Sequence, residues 1–327
     1  MAEKIRWGIL STGYIADLFA KGLQAVPDAE LLAVGSRSQA TADTFGARFN
    51  IPRRYASYEQ VAHDPDIDVV YVGTPHPFHK ANTLMCLNAG KAVLCEKPFA
   101  INAREAEAMV RLAREKKLFL MEAMWTRFFP LMVRVREMLA QGVIGEPRMA
   151  LADFGFRTDF NPQHRLFNPD LGGGAMLDVG IYPLSFASMV LGTPARITGM
   201  MSPGEARTDD QSAYLLGYEG GQLAVLCSAV RTETPQEAQI FGTEGRIHIH
   251  SQFWRPRRLT LTLKGKDDQL MDFPHEGNGY NFQAVEVDNC LRAGKLESGV
   301  MPLDETLAIM RTMDQLRAQW GLRYPME

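Results

Sequence analysis

Cysteine is scarce: Cys86, Cys95, Cys227 and Cys290 are the only four in 327 residues, far apart, with no Cys-x-x-Cys pair and no histidine pattern beside them. That excludes a disulfide-framed scaffold and a zinc site of recognisable spacing, and predicts reduced core thiols in a cytoplasmic protein without a metal. Charge of one sign is scarce too. Lys and Arg total 35 against 38 Asp and Glu, for a net charge of -3, and basic residues never gather into a run. Neither nucleic acid nor a membrane surface is therefore an expected partner, and small molecules are. The N-terminus "MAEKIRWGIL" reaches glycine before a signal-peptide apolar region develops, so no export is expected. A long stretch free of Lys, Arg and Glu, "GGGAMLDVGIYPLSFASMVLGTPA", holds Asp178, Pro183 and several glycines, and suits a buried helix better than a membrane span. Internal repeats and low-complexity segments are lacking as well.

What is present is 46% hydrophobic residue over a length that supports two cores. Continuous apolar runs, "IRWGIL", "AELLAVGSR", "DVVYVGTP", "AVLCEKP" and "LFLMEAMW", alternate with segments of three-to-four apolar spacing. Runs of that kind belong to strands covered on both faces, and the alternation is a βαβ series. The expectation is an α/β protein whose residues 1–124 form a Rossmann domain with a doubly wound parallel sheet. Beyond it the rhythm changes to a helix, "PLMVRVREMLAQG", a strand near "PRMALADFGF" and a helix opened by Gly172-Gly173-Gly174. Strand pairs then flank the turns "GG" and "GTEG", "RLTLTLK" alternates, and two helices close the chain. Residues 125–327 are thus expected to be an α+β domain with a large open, mainly antiparallel sheet. A one-sided sheet exposing apolar residues is usually covered, which makes its free face a candidate homodimer surface.

Three places in this scheme carry chemistry. At the first strand-to-helix turn, "STGYIA" supplies Ser11, Thr12, Gly13, Tyr14 and Ile15, a partial form of the small-residue fingerprint whose backbone N–H groups approach a pyrophosphate. A glycine easing an ordinary turn would look similar. The second strand ends in Ser36, Arg37 and Ser38 where NAD enzymes commonly carry an acid, and a guanidinium with two hydroxyls suits the 2′-phosphate of NADP. A surface arginine would occupy the same place. The exits of the next strands, "GTPHPFH" and "CEKP", lie at the carboxyl edge of the predicted sheet, where ligands bind. Lys97 there is suited to move a hydroxyl proton in either direction, provided its surroundings lower its pKa from roughly 10.4. An ion pair with Glu96 explains the same position. Further on, Asp178 and Tyr182 are four apart, on one face if the segment is an α-helix, and three leading glycines let its start approach something closely. A local hydrogen bond between those two is the plainer alternative.

Taken together, "STGYIA", "TPHPFH", "CLNAGKAVLCEKP" and "GGGAMLDVGIY", in that order, resemble the Gfo/Idh/MocA oxidoreductases. "RWGI", "WTRFFP" and "LDVGIY" resemble in particular the dihydrodiol dehydrogenase branch of that family. The resemblance implies hydride transfer on a nicotinamide, with Lys97 as general acid/base, Tyr182 in the place of a frequent histidine, and Asp178 orienting substrate or the tyrosine. It implies cofactor contacts from Thr74, Pro75, His76, His79, Glu96 and Lys97, and from Arg165 near the nicotinamide. Ser11 departs from the family's first glycine, and Tyr182 from its histidine. The expected enzyme is an NADP-dependent dehydrogenase for a secondary alcohol of a sugar or cyclic vicinal diol. Its pocket would draw on Trp125, Arg127, Phe128, Phe154, Phe156 and Phe160, although ordinary core packing would also account for several of those rings. Two rivals stand beside it, an aldose dehydrogenase acting at C1 and an NADP-binding sensor without turnover.

Overall fold

The apolar runs of the first third become the strands of one sheet. The computed structural model describes residues 4–327. Its opening elements are β1 (Ile5–Leu10), α1 (Tyr14–Leu23), β2 (Ala29–Gly35), α2 (Gln39–Phe49), β3 (Arg53–Tyr55) and α3 (Tyr58–Ala62). They continue with β4 (Val69–Val72), α4 (His79–Asn88), β5 (Ala92–Glu96), α5 (Ala103–Lys116) and β6 (Leu120–Ala123). All six strands run parallel in the order β3-β2-β1-β4-β5-β6. The order reverses at β1, so the crevice beyond the carboxyl ends of β1 and β4 is the switch point where open α/β sheets take ligands. Every residue of β4 and β5 is buried, as their unbroken apolar sequence requires.

Gly8 interrupts the first run for a steric reason. A side chain there would meet Val61 at 2.8 Å and Ile67 at 2.9 Å, so its lack of Cβ lets α3 lie close on the sheet. Trp7, Phe19 and Tyr71 form the centre of this core, with the Phe19 and Tyr71 rings stacked 3.7 Å apart.

The second unit holds α6 (Pro130–Ala140), β7 (Pro147–Gly155), a π-helical turn over Met176–Gly180 and α7 (Ile181–Leu191). Its remaining strands are β8 (Arg196–Pro203), β9 (Asp209–Gly217), β10 (Leu223–Ala229), β11 (Ala238–Gly242), β12 (Gly245–Ile249), β13 (Arg258–Leu263) and β14 (Gln269–Asp272). They form one eight-stranded sheet, β14-β13-β12-β11-β7-β10-β9-β8, antiparallel except where β7 meets β10. Alternation decides which face is covered. In β10, Ala224 and Leu226 are buried while Leu223 and Val225 are exposed, and α7 packs against β7 and β10. The stretch Pro169–Leu191 is apolar and long enough to cross a membrane, yet its most apolar window is 78% buried inside the fold.

The last two helices are α8 (Tyr280–Arg292) and α9 (Leu303–Trp320). Here the structure differs from the linear division into residues 1–124 and 125–327. One compact unit takes the described chain up to Trp125 together with Glu276–Thr306, and the other takes Thr126–His275 with Leu307–Glu327. The reason is α8. Trp7 Nε1 donates to Asp288 Oδ1 at 3.1 Å, Asn278 donates to the carbonyl of Leu18 at 2.7 Å, and Gly22 leaves room for Tyr280. The four cysteines are free thiols, and burial raises each of them, Cys86 to about 12 and Cys290 to about 11.

Candidate active site

On the first unit, the turn between β1 and α1 is built by Ser11. Its φ of 103° lies in the region that favours glycine, which is why a glycine commonly opens this fingerprint. The serine recovers part of the strain by accepting a hydrogen bond from Gly13 N at 3.1 Å. Gly13 is the N-cap of α1 and brings no side-chain cap, so the helix presents its first-turn N–H groups at this point. Tyr14 is 79% exposed beside it, with Ile15 half-buried.

Across the end of β2 the hydroxyls form a chain. Thr12 Oγ1 lies 3.4 Å from Ser36 Oγ, Ser36 Oγ lies 2.5 Å from Thr41 Oγ1, and Thr41 Oγ1 lies 2.9 Å from Ser38 Oγ. Ser38 caps α2 by accepting from Thr41 N at 3.4 Å. Arg37 is exposed alongside, and the segment Gly35-Ser36-Arg37-Ser38 carries no acid. A donor-rich surface of this composition fits ribose hydroxyls or an anionic phosphate group. Thr41 is the member that sequence reasoning missed; its only signal is the Ser-x-x-Thr spacing of a capped helix start.

The exits of β4 and β5 are tied together from behind. His79 lies wholly inside, with Nε2 2.7 Å from the carbonyl oxygen of Thr74 and Nδ1 2.8 Å from that of Pro98. Its expected place as a cofactor contact is therefore corrected: it joins the two ligand-facing loops and does not line them. Burial lowers its pKa against the pull of the two carbonyls. Thr74 receives a second support from Asn82 Nδ2 at 3.0 Å, one helical turn beyond His79 and also unforeseen. Pro75 is exposed and His76 buried.

Glu96 ends β5 inside the core. It accepts from the Tyr71 hydroxyl at 2.5 Å and from the Lys97 amide at 3.2 Å. Burial, and then the Glu96 charge, raise Tyr71 well above the usual phenol range, so it remains a donor. The Lys97–Pro98 peptide is cis. Within Lys91–Ala100, Lys97 is the one residue that is not buried, so the strand delivers its side chain to the sheet's carboxyl edge.

On the second unit, Asp178 and Tyr182 straddle the junction between the π turn and α7, not a continuous α-helix. Asp178 accepts from Arg165 Nη1 at 2.7 Å, and the arginine is half-exposed. The glycines before them answer close neighbours. A Cβ on Gly173 would strike the backbone of Phe167 and Asn168, and one on Gly174, where φ is +115°, would run into the Asp209 carboxylate. Asp209 also accepts from Met176 N at 2.7 Å and so fixes the start of the π turn. Burial pushes its pKa up to about 7.

Tyr182 belongs to an aromatic group in which its ring is 5.3 Å from Phe154, and Phe154 stacks on Trp254 at 3.9 Å and meets Phe156 at 6.4 Å. Trp254, in the bend after β12, gave no signal in the sequence. The other expected pocket residues have partners of their own, and Thr126, between Trp125 and Arg127, donates to the carbonyl of Trp254 at 2.7 Å. Trp125 stacks on Tyr280 in the first unit, and Phe160 packs edge-on against Phe167. Phe128 is buried, and Arg127 is buried with its guanidinium on Ser185 Oγ at 3.0 Å and on the Ser185 carbonyl at 2.7 Å, bonds that hold α7.

Comparison with known proteins agrees with both halves. Residues 5–124 match the oxidoreductase family described as an NAD-binding Rossmann fold, and residues 132–248 match the GFO/IDH/MocA C-terminal domain. Trans-1,2-dihydrobenzene-1,2-diol dehydrogenase of Mus musculus is 39% identical over 99% of both chains, and that of Xenopus tropicalis is 38% identical over 98% of this chain and 99% of its own. Among solved structures, an aldose-aldose oxidoreductase from Caulobacter crescentus superposes with a TM-score of 0.87 at 25% identity, covering 96% of each chain. A 3-ketoreductase from Actinomadura kijaniata, solved with NADP, gives a TM-score of 0.83 at 26% identity, covering 97% of this chain and 98% of its own. The sequence motifs, the two sheets and the relatives converge: the chain belongs to the Gfo/Idh/MocA oxidoreductases and acts on CH–OH groups with a nicotinamide cofactor.

Proposed function

We propose that the chain is an NADP-dependent dehydrogenase of a secondary alcohol in a cyclic vicinal diol or sugar, with Lys97 as its general acid/base. The observation that carries this reading is that Lys97 alone, in an otherwise buried strand exit, is half-buried and not fully enclosed, at the carboxyl edge of a parallel sheet, where such folds take ligands. Ser11, Thr12, Gly13, Tyr14 and Ile15 hold the pyrophosphate side, and Ser36, Arg37 and Ser38, with Thr41, hold the 2′-phosphate. Thr74, Pro75, His76 and Glu96 shape the nicotinamide side. A nicotinamide held there would supply the hydride acceptor for oxidation of the carbinol carbon and the hydride donor for the reverse reaction. Lys97 takes the hydroxyl proton as that C–H bond breaks, and gives it back to the carbonyl oxygen in the reverse direction. For substrate recognition the second unit's proposed residues are Tyr182, Asp178 and Arg165, with Phe154, Phe156 and Trp254 as an apolar wall.

The test is Lys97→Ala. Turnover should fall by about 10²–10⁴-fold, the usual share of a positioned proton-transfer group, while NADPH binding followed by fluorescence persists. Unchanged turnover would remove Lys97 from the mechanism.

The likeness to the aldose-aldose oxidoreductase favours a second reading, oxidation of an aldose at C1. Rates on a panel of trans-dihydrodiols and aldoses with NADP separate the two. A cytoplasmic setting is proposed as well, supported by the four unpaired thiols.

A further inference from the structure

The outer face of the second sheet carries a donor group that the proposed dehydrogenase chemistry leaves unused. His248 on β12 and His250 just past its end are two residues apart, so the pleat turns both rings to the same side, while Ile247 and Ile249 between and beside them point into the core. The two ring centroids are 4.4 Å apart. The register supplies the third member. β11 sets Gln239 opposite His248, so Glu237, two residues earlier on the same face, comes down beside the histidine pair. Its Oε2 is 2.9 Å from His248 Nε2. One ligand atom from each of Glu237, His248 and His250 lies within 4.8 Å of the others, in a half-buried setting.

We infer that Glu237, His248 and His250 form a binding site for a divalent transition-metal ion of the zinc class. Two imidazoles and one carboxylate are a borderline-soft set that suits zinc, nickel or copper and not magnesium or calcium, which take oxygen ligands. Bonds of about 2.0–2.2 Å place tetrahedral ligand atoms roughly 3.3 Å apart, so donors within 4.8 Å of one another need to close by at most about 1.5 Å. All three stand on or next to hydrogen-bonded strands, which limits the ordering cost. The His250 ring is also oriented through its Nε2, 2.9 Å from Thr260 Oγ1 on β13, the kind of outer support that metal-binding histidines generally have. The backbone of Glu237 is anchored in turn, with its N–H donating to Asp153 Oδ1 at 3.3 Å. Linear spacing hides such a site: Glu237 is eleven residues from His248, and only strand pairing brings them together.

The experiment is calorimetric titration of tag-free, chelator-treated full-length protein with zinc chloride, and separately with magnesium chloride. The expected result is one zinc per chain with a dissociation constant in the micromolar range or below and no magnesium heat. Binding should weaken by about 10–100-fold in His248→Gln and again in His250→Gln. Both variants should keep NADP-linked turnover, since neither residue belongs to the proposed catalytic set. Zinc binding weaker than about 100 µM, or binding that survives both substitutions, overturns the inference and leaves His248 and Glu237 as a simple hydrogen-bonded pair. Circular dichroism of the variants excludes misfolding as the cause of a loss.

Discussion

Arg37 has a consequence out of proportion to its exposure. It stands at the end of β2 beside the hydroxyl chain of Thr12, Ser36, Thr41 and Ser38, in a segment, Gly35-Ser36-Arg37-Ser38, that carries no acid. A charge-assisted hydrogen bond to a phosphate contributes about 1.5–3 kcal/mol, which corresponds to roughly 10–100-fold in affinity. Arg37→Ala should therefore weaken NADP by that factor and leave NAD nearly unchanged, as read by dissociation constants for both nucleotides. An equal loss with both would assign the arginine to the common part of the dinucleotide or to folding. The place of Arg37 at the end of β2 was legible in "GSRS", because a continuous apolar run stops there. Thr41 was not, because its hydroxyl enters only after α2 is capped and wound.

At the scale of elements, the sequence disclosed runs and missed joints. Five apolar runs became β1, β2, β4, β5 and β6, since strands buried on both faces need continuous apolar sequence. β3 escaped notice because "RRY" is an edge strand with a single neighbour, and α3 because five residues are too few for a helical period to show. The π turn escaped because apolar spacing cannot reveal where one extra residue is inserted per turn. Its glycines, though, were readable as a sign of close approach, and the structure supplies the object approached, the Asp209 carboxylate. Gly174→Ala would combine a positive φ with a clash against that carboxylate. Destabilisation of about 2–4 kcal/mol is expected from strain and overpacking together. Urea unfolding checks it, and a loss below about 0.5 kcal/mol would mean that the turn yields more easily than its packing implies.

Two effects belong to the whole molecule. The first is a pH dependence with opposing contributions. Burial raises Asp209 and Asp288 to about 7, above their unfolded range near 4. Over that window the native state holds more protons, so these two groups make stability fall as pH rises from about 4 to 7. His79, lowered by burial, acts in the other direction, removing stability as pH falls below its unfolded value of about 6.5. The total slope mixes both signs, but a difference isolates one. Asp288→Asn keeps an acceptor for Trp7 Nε1 and deletes the ionisation. Its melting temperature relative to the native protein should therefore be higher at pH 8 than at pH 5, and a difference independent of pH would contradict the raised value.

The second concerns the open sheet. Across its outer face, Leu215 pairs with Val225, and Val225 with Leu151, while Met200 next to this row is 80% exposed and Leu215 50% exposed. Isolated exposed apolar residues are ordinary, but here they are contiguous over β8, β9, β10 and β7, with a hollow of about 360 Å³ beside them lined by Met200, Ala213 and Cys227. A second copy of the chain is the proposed cover, because a symmetric dimer pairs this patch with itself and needs no other partner. Leu215 points away from the core, so Leu215→Arg should leave the fold intact and place two like charges in that contact. Sedimentation should then give a dimer for the native protein at micromolar concentration and a monomer for the variant. A native monomer, or a variant that still dimerises, would send the assembly surface elsewhere on the molecule.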